Sequence, residues 1–283
     1  MSKTNKLIIT CALCGGGTTR KQSPYLPLTP QELADDAVKA VKAGAAVIHI
    51  HARDEEGNNT METDRFVEVV TTIREALKAN DLDAIINVTS SGAKFSEDLR
   101  VAHLPILMPE MCSYDPGTLN WGNATVFLNT PAFLERLGKL TQELDIKPEI
   151  EIFDAGMMGN VEYYLKKGIL KAPLHYQLVL DVPGGMPGNL ESVQYLASKI
   201  PEGSTWSITG IGKAHVPCML AGLAAGCDNL RVGLEDNVWF DKNKGELATN
   251  EQLVKRAVEL GKLVGREIAT AAEAREILGI KKR

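Results

Sequence analysis

The chain has 283 residues, 44% of them hydrophobic and 24% charged, which is the balance of an ordinary soluble globular protein long enough to bury a sizeable core. A formal net charge of −5 argues against a nucleic-acid or anionic-membrane surface and directs attention to a small-molecule partner. Five cysteines fit a reducing compartment and no disulfide framework, so the cytoplasm is the expected address.

The opening residues have the outline of a signal peptide, with charge followed by an apolar run over 7–14. The run is short, leads straight into Gly15-Gly16-Gly17 and lacks a small-residue cleavage site, so residues 7–13 read as a first strand. Thr29-Pro30-Gln31-Glu32 supplies a cap, a first-turn proline and a capping-box acid for a helix that runs to about Ala43 and stops at Gly44. A second strand follows at 46–51, a helix opening at Thr63-Asp64, a third strand at 84–89 and a short helix over 96–102. Residues 105–111 (PILMPEM) read as a fourth strand that tolerates Pro109 near its end. The segment 113–129 is long and rich in turn residues, a mark of a functional loop.

Thr130-Pro131 caps the next helix, and a fifth strand is expected at 149–153, followed by a helix over 154–167. The sixth strand falls at 175–181, the seventh at 205–209 and the eighth at 229–232, with helices over 189–199, 214–225, 251–264 and 270–278. Eight strand–helix units without a compositional break predict a (β/α)₈ TIM barrel forming one domain over 1–283. A doubly wound open sheet is the competing architecture, and the strand count disfavours it. No stretch approaches the ~20 apolar residues of a membrane span.

In a barrel the chemistry sits at the C-terminal ends of the strands, which makes position along a strand a functional test. His49 and His51 pass it. They lie two apart in the apolar run Ala46-Val47-Ile48-His49-Ile50-His51, so they share one face of the strand, and two buried imidazoles need partners. A Zn²⁺ or similar divalent ion satisfies both and calls for a third ligand, often a carboxylate, from another strand end. The eighth strand ends in Arg231-Val232-Gly233-Leu234-Glu235-Asp236, where two acids and an arginine stand together; a solvated acidic turn is the plain alternative. Thr89 and Ser113 are either site hydroxyls or turn formers, and Glu149, Glu151 and Asp154 place acids along the fifth strand that point inward or serve architecture.

Other motifs carry less. Gly15-Gly16-Gly17 lacks the spacing of a phosphate loop and suggests close backbone approach to a ligand. Cys11 and Cys14 spell C-x-x-C on a strand, where residues three apart face opposite sides, so both are read as core cysteines. His103, His175 and His215 are read as structural, although Gly210 to His215 follows the seventh strand where glycines and a cation suit phosphate.

Taken together, SPYLPLTPQE at 23–32, IHIHARD at 48–54, PEM at 109–111 with GTLNWG at 117–122, VPGGM at 182–186, GIGKAH at 210–215 and RVGLEDN at 231–237 carry a family resemblance. Over almost its whole length the chain resembles the β-keto acid cleavage enzymes, whose best-known member acts on 3-keto-5-aminohexanoate. The resemblance implies a zinc-dependent barrel that converts a β-keto acid and acetyl-CoA into acetoacetate and a new CoA ester, assembled as a homo-oligomer, by family analogy a tetramer. It implies His49, His51 and Glu235 as metal ligands, Asp236 as the acid–base group and Arg231 as its charge partner. Thr89 stands where the family has a site hydroxyl, Ser113 where the aminohexanoate enzyme has threonine, and Glu151 matches an active-site acid.

One departure bears on substrate. Gly17 stands where the aminohexanoate enzyme has an acid that holds the substrate amino group, so a different β-keto acid is expected. Two other readings of the same residues are a metal-dependent aldolase or hydrolase, which acetyl-CoA dependence separates, and a non-catalytic metal- or metabolite-binding barrel, which predicts no turnover for Asp236→Asn to abolish.

Overall fold

The computed structural model describes residues 4–283. Within them eight parallel strands run in chain order: β1 (Lys6–Ala12), β2 (Val47–Ile50), β3 (Ile85–Val88), β4 (Met111–Tyr114), β5 (Lys147–Ile152), β6 (His175–Leu180), β7 (Thr205–Gly210) and β8 (Asn229–Val232). Each pairs with the next, and β8 pairs back onto β1 with Thr10 opposite Arg231, so the sheet closes into the expected TIM barrel with helical sequence between strands. The first helix, Pro30–Ala43, has the capping box read from its sequence: Thr29 accepts from the Glu32 backbone while Glu32 accepts from that of Thr29. Among the described residues no helix is long and apolar enough to cross a membrane.

Strand alternation divides the core in two. Ile9, Ile48, Ile50, Ile86, Val88, Ile150 and Ile152 face outward and join the helices in the main apolar cluster. The inward face changes character with height. At its N-terminal end Ile8, Val47, Ile85 and Met111 form a separate apolar cluster closed by Ala274 and Leu278 of the last helix, Ala271–Leu278. Above them the interior is polar: Asn229 donates to Thr10 (2.8 Å) and Asn87 to Glu149 (2.8 Å). A barrel interior ordinarily holds branched apolar side chains, so this one has exchanged hydrophobic burial for polar groups toward its C-terminal end.

Two local expectations change. The PILMPEM stretch is not the fourth strand: Leu104–Leu107 is a helical turn with proline at its start, Met108 turns through the left-handed region (φ 46°), and β4 begins at Met111. Ser113 therefore lies inside the strand and not beyond it. The turn-rich segment, for which the sequence predicts a loop, contains a hairpin, Leu119–Trp121 against Thr125–Phe127.

Candidate active site

A cavity of about 780 Å³ opens at the C-terminal end of the barrel, between the loops after β1, β2, β3 and β8 and the hairpin after β4. Trp121 of that hairpin packs edge-on against Phe127 and Phe153 at the mouth, with ring centroids 5.6 and 5.5 Å away. The VPGGM turn holds the hairpin from below, where the carbonyl of Asn120 occupies the space a Cβ on Gly184 would need.

His49, on β2, and His51, directly after it, point inward as the alternation requires. Their Nε2 atoms lie 3.7 and 3.4 Å from the two carboxylate oxygens of Glu235, and one donor atom from each of the three residues falls within 4.8 Å of the others. Burial holds the His49 imidazole neutral by lowering its pKa to about 3, which leaves a lone pair available for a cation. Burial pushes Glu235 upward, but Arg231 and the two histidines outweigh it and keep the carboxyl well below the usual carboxylate range. Two imidazoles and an ionised carboxylate converging at these distances fit a divalent metal with open positions left for substrate.

The chain brings Glu235 back over the barrel by a tight bend. Gly233 has φ +144° and its missing side chain makes room for the Ala12 backbone. Gly15 does the same for the ligand itself: a Cβ there would stand 2.5 Å from Glu235 Cγ. Arg53, buried and part of the IHIHARD motif, donates to the carbonyls of Cys14, Gly15, Gly57 and Thr18 and so fixes the glycine loop beside Glu235. The carbonyls of this loop engage an arginine, and Gly17 lines the cavity with nothing within 4 Å of where its Cβ would be.

Next to Glu235, Asp236 is held on both oxygens by Arg231, from Nε (3.0 Å) and Nη2 (3.1 Å), and accepts from Thr209 (3.1 Å). Burial raises the Asp236 pKa against the pull of Arg231. The remaining Arg231 nitrogen, Nη1, has no hydrogen-bond partner among the described residues and faces Glu151 at 3.7 Å and Glu149 at 3.9 Å. Burial and the neighbouring Asp115 raise Glu151 well above the ordinary range.

The fold thus brings together His49, His51, Glu235, Asp236, Arg231 and Glu151. Thr89 and Ser113 are fully buried and lie outside the cavity lining; Thr89 accepts from the Ser91 backbone (2.9 Å), and Ser113 Oγ has no partner among the described residues. Asp154 points to neither: it caps the helix Ala155–Lys166. All five cysteines are free and buried, Cys11 and Cys14 among them. His103, His175 and His215 are buried away from this cluster.

Residues 6–280 match the family model described as beta-keto acid cleavage enzyme. The chain belongs to the β-keto acid cleavage enzyme family. It is 41% identical over 98% of its length to the 3-keto-5-aminohexanoate cleavage enzyme of Fusobacterium nucleatum, covering 99% of that protein. It is 34% identical to the 3-dehydrocarnitine:acetyl-CoA trimethylamine transferase of Rhizobium meliloti, over 100% of this chain and 99% of that one. Among solved structures the apo form of ObcA superposes with a TM-score of 0.77 at 22% identity, covering 91% of this chain; the chain spans 66% of the ObcA chain, a likeness of fold.

Two residues of this family member's cavity, Arg53 and Asp115, and Thr209 bonded to Asp236 behind it escape a reading of the sequence. Arg53 sits in a recognised motif, but its role as a clamp on carbonyls of another loop depends on tertiary placement. Thr209 is the last residue but one of β7 and passes the strand-end test, the one signal that marks it. Asp115, one residue past β4, lines the cavity, and the displaced prediction of that strand hides its inward direction.

Proposed function

We propose that this chain is a metal-dependent β-keto acid cleavage enzyme that converts a β-keto acid and acetyl-CoA into acetoacetate and a new acyl-CoA ester. The observation that carries the reading is the bidentate Arg231–Asp236 pair placed directly beside the His49–His51–Glu235 cluster. His49, His51 and Glu235 would hold a Zn²⁺ or similar divalent ion. When bound, such an ion supplies Lewis-acid stabilisation to the enolate of a keto acid.

Asp236, its proton affinity raised by burial, takes a proton from the carbon between ketone and carboxylate. Arg231 orients that carboxylate and offsets the negative charge that develops on the substrate. The carbanion forms a bond to the acetyl carbonyl carbon and CoA leaves as thiolate. The thiolate adds to the substrate's own ketone, the bond between that carbon and the former C2 breaks, and acetoacetate enolate recovers the proton from Asp236. Carbon, sulfur and proton counts balance without a serine or cysteine nucleophile. Glu151, near Arg231, lines the cavity and belongs to the proposed set; Thr89 and Ser113, outside the lining, join it as positioning hydroxyls on the strength of their motif positions.

The proposal extends to substrate and setting. Gly17 leaves its wall of the cavity without a carboxylate, so the preferred acid is not 3-keto-5-aminohexanoate. By family analogy the enzyme is a cytoplasmic homo-oligomer, with residues 1–283 as one domain. The test is a panel of β-keto acids with acetyl-CoA, read by formation of the CoA ester. Acetyl-CoA-dependent turnover is expected, with 3-keto-5-aminohexanoate below the best acid. Cleavage that proceeds equally without acetyl-CoA would favour an aldolase, and 3-keto-5-aminohexanoate as the best substrate would remove the Gly17 reading.

A further inference from the structure

Asp115 follows β4 on the inward side that Met111 and Ser113 share, and it lines the cavity together with Ser91 and Glu151. Its side chain is 1% exposed. One carboxylate oxygen accepts from the Ser91 hydroxyl at 2.6 Å; the other, Oδ1, is buried with no hydrogen-bond partner among the described residues. A carboxylate so placed has lost water on both oxygens and regained one neutral donor, an arrangement that is costly without a further partner.

The other acids of the cavity are provided for. Glu235 and Asp236 both bond to Arg231, and Glu151 lies 3.7 Å from its free nitrogen. Arg53, the other buried cation in the lining, has its donors on backbone carbonyls. Asp115 forms no ion pair with any described residue; burial raises its proton affinity, and the charges of Arg100 and Arg231 offset that only in part. Because its neighbourhood also contains Glu151, a positively charged donor matches it better than a neutral one.

We propose that Asp115 is the specificity-determining residue of this cavity, its free oxygen receiving an ammonium group carried on the chain of the β-keto acid, with the Ser91 hydroxyl orienting it. The assignment rests on reading the cavity as a β-keto acid site. It also refines the consequence of Gly17: the counter-charge for a cationic substrate has moved from the loop after β1 to the end of β4, so the ammonium sits elsewhere on the chain than in 3-keto-5-aminohexanoate.

The experiment uses the metal-loaded full chain and a series of 3-keto acids of equal length bearing methyl, carboxylate, or ammonium at carbon 4, 5 or 6. Binding is followed by calorimetry, and turnover with acetyl-CoA by CoA-ester formation. Wild type is expected to bind an acid with its ammonium at carbon 4 or 6 about tenfold or more tighter than its methyl isostere, and more tightly than the carbon-5 isomer, and Asp115→Asn to reduce the first ratio to near unity. Ser91→Ala should reduce the ratio partially. Equal binding of ammonium and methyl acids by wild type, or an unchanged ratio in Asp115→Asn, would overturn the assignment. Absence of acetyl-CoA-dependent turnover for every acid would instead overturn the functional reading, while the binding ratio still decides Asp115.

Discussion

Asp236 and His49 carry different proposed roles in one site, and substitution separates them. Asp236→Asn keeps the hydrogen-bonding shape toward Arg231 and Thr209 but removes the base, so turnover should fall on the order of 10²–10⁴-fold with metal content unchanged. His49→Ala should instead lower metal content by elemental analysis, with its thermal transition retained, since the ring serves the ion and not the apolar core. A His49→Ala protein with full metal and full activity would contradict the proposed ligand set. These two residues differ in how far sequence exposes them. The histidines are legible because two imidazoles interrupt an apolar strand. Glu235 and Asp236 are marked in the sequence by their place after the eighth strand and by the RVGLEDN resemblance, but their convergence on the histidines depends on Gly233 and Gly15 folding the last loop over the first, which no spacing records. Asp115 depends on Ser91 from a different strand end and was illegible altogether.

At the scale of elements, the strand that misled is the one whose inner face runs from the apolar plug at Met111 to Asp115 at the cavity. Residues 106–108 are apolar and bounded by Pro105 and Pro109, which period alone does not distinguish from a short strand. The real β4, Met111–Tyr114, alternates Ser113 inward with Cys112 and Tyr114 outward, and that weak pattern reflects chemistry taking the place of core. The capped helices were legible because caps are local. The last helix shows an opposite specialisation. It plugs the N-terminal end of the barrel, where Arg275 bonds Asp83 at 2.7 and 2.9 Å and also pairs with the buried Glu110. Removing the guanidinium strands Glu110 without its cation, so Arg275→Met should destabilise the fold by about 3–5 kcal/mol in urea unfolding. Because the plug lies at the end remote from the cavity, kcat should change little; a large loss of kcat at full occupancy of the folded state would show that the two ends are coupled.

Over the whole molecule, stability is tied to pH through histidines that take no part in the proposed chemistry. Burial lowers His103 to about 4, His175 to about 3 and His215 to about 4. His103 stacks on Phe66 with centroids 4.2 Å apart and bonds the Thr89 carbonyl at 3.0 Å, and His175 meets the Thr205 hydroxyl at 2.9 Å. Each ring stays neutral in the fold, whereas in the unfolded chain it takes up a proton below its ordinary value of 6.5. The unfolded state therefore binds more protons between about 6.5 and the folded values. The stabilising contribution is complete above that window and is lost as pH falls through it, at up to ~1.4 kcal/mol per pH unit for each ring. Glu149, which burial raises, acts with the opposite sign, its contribution fading as pH rises. Comparison of one variant with wild type isolates a single ring from these opposing groups and from any acid release of metal. Unfolding free energies at pH 7 and pH 5 should differ less for His175→Gln than for wild type, by roughly 1–2 kcal/mol over the interval after allowance for onset near 6.5. Equal differences for the two proteins would mean that His175 is protonated in the fold, against the burial and the single neutral partner the barrel gives it.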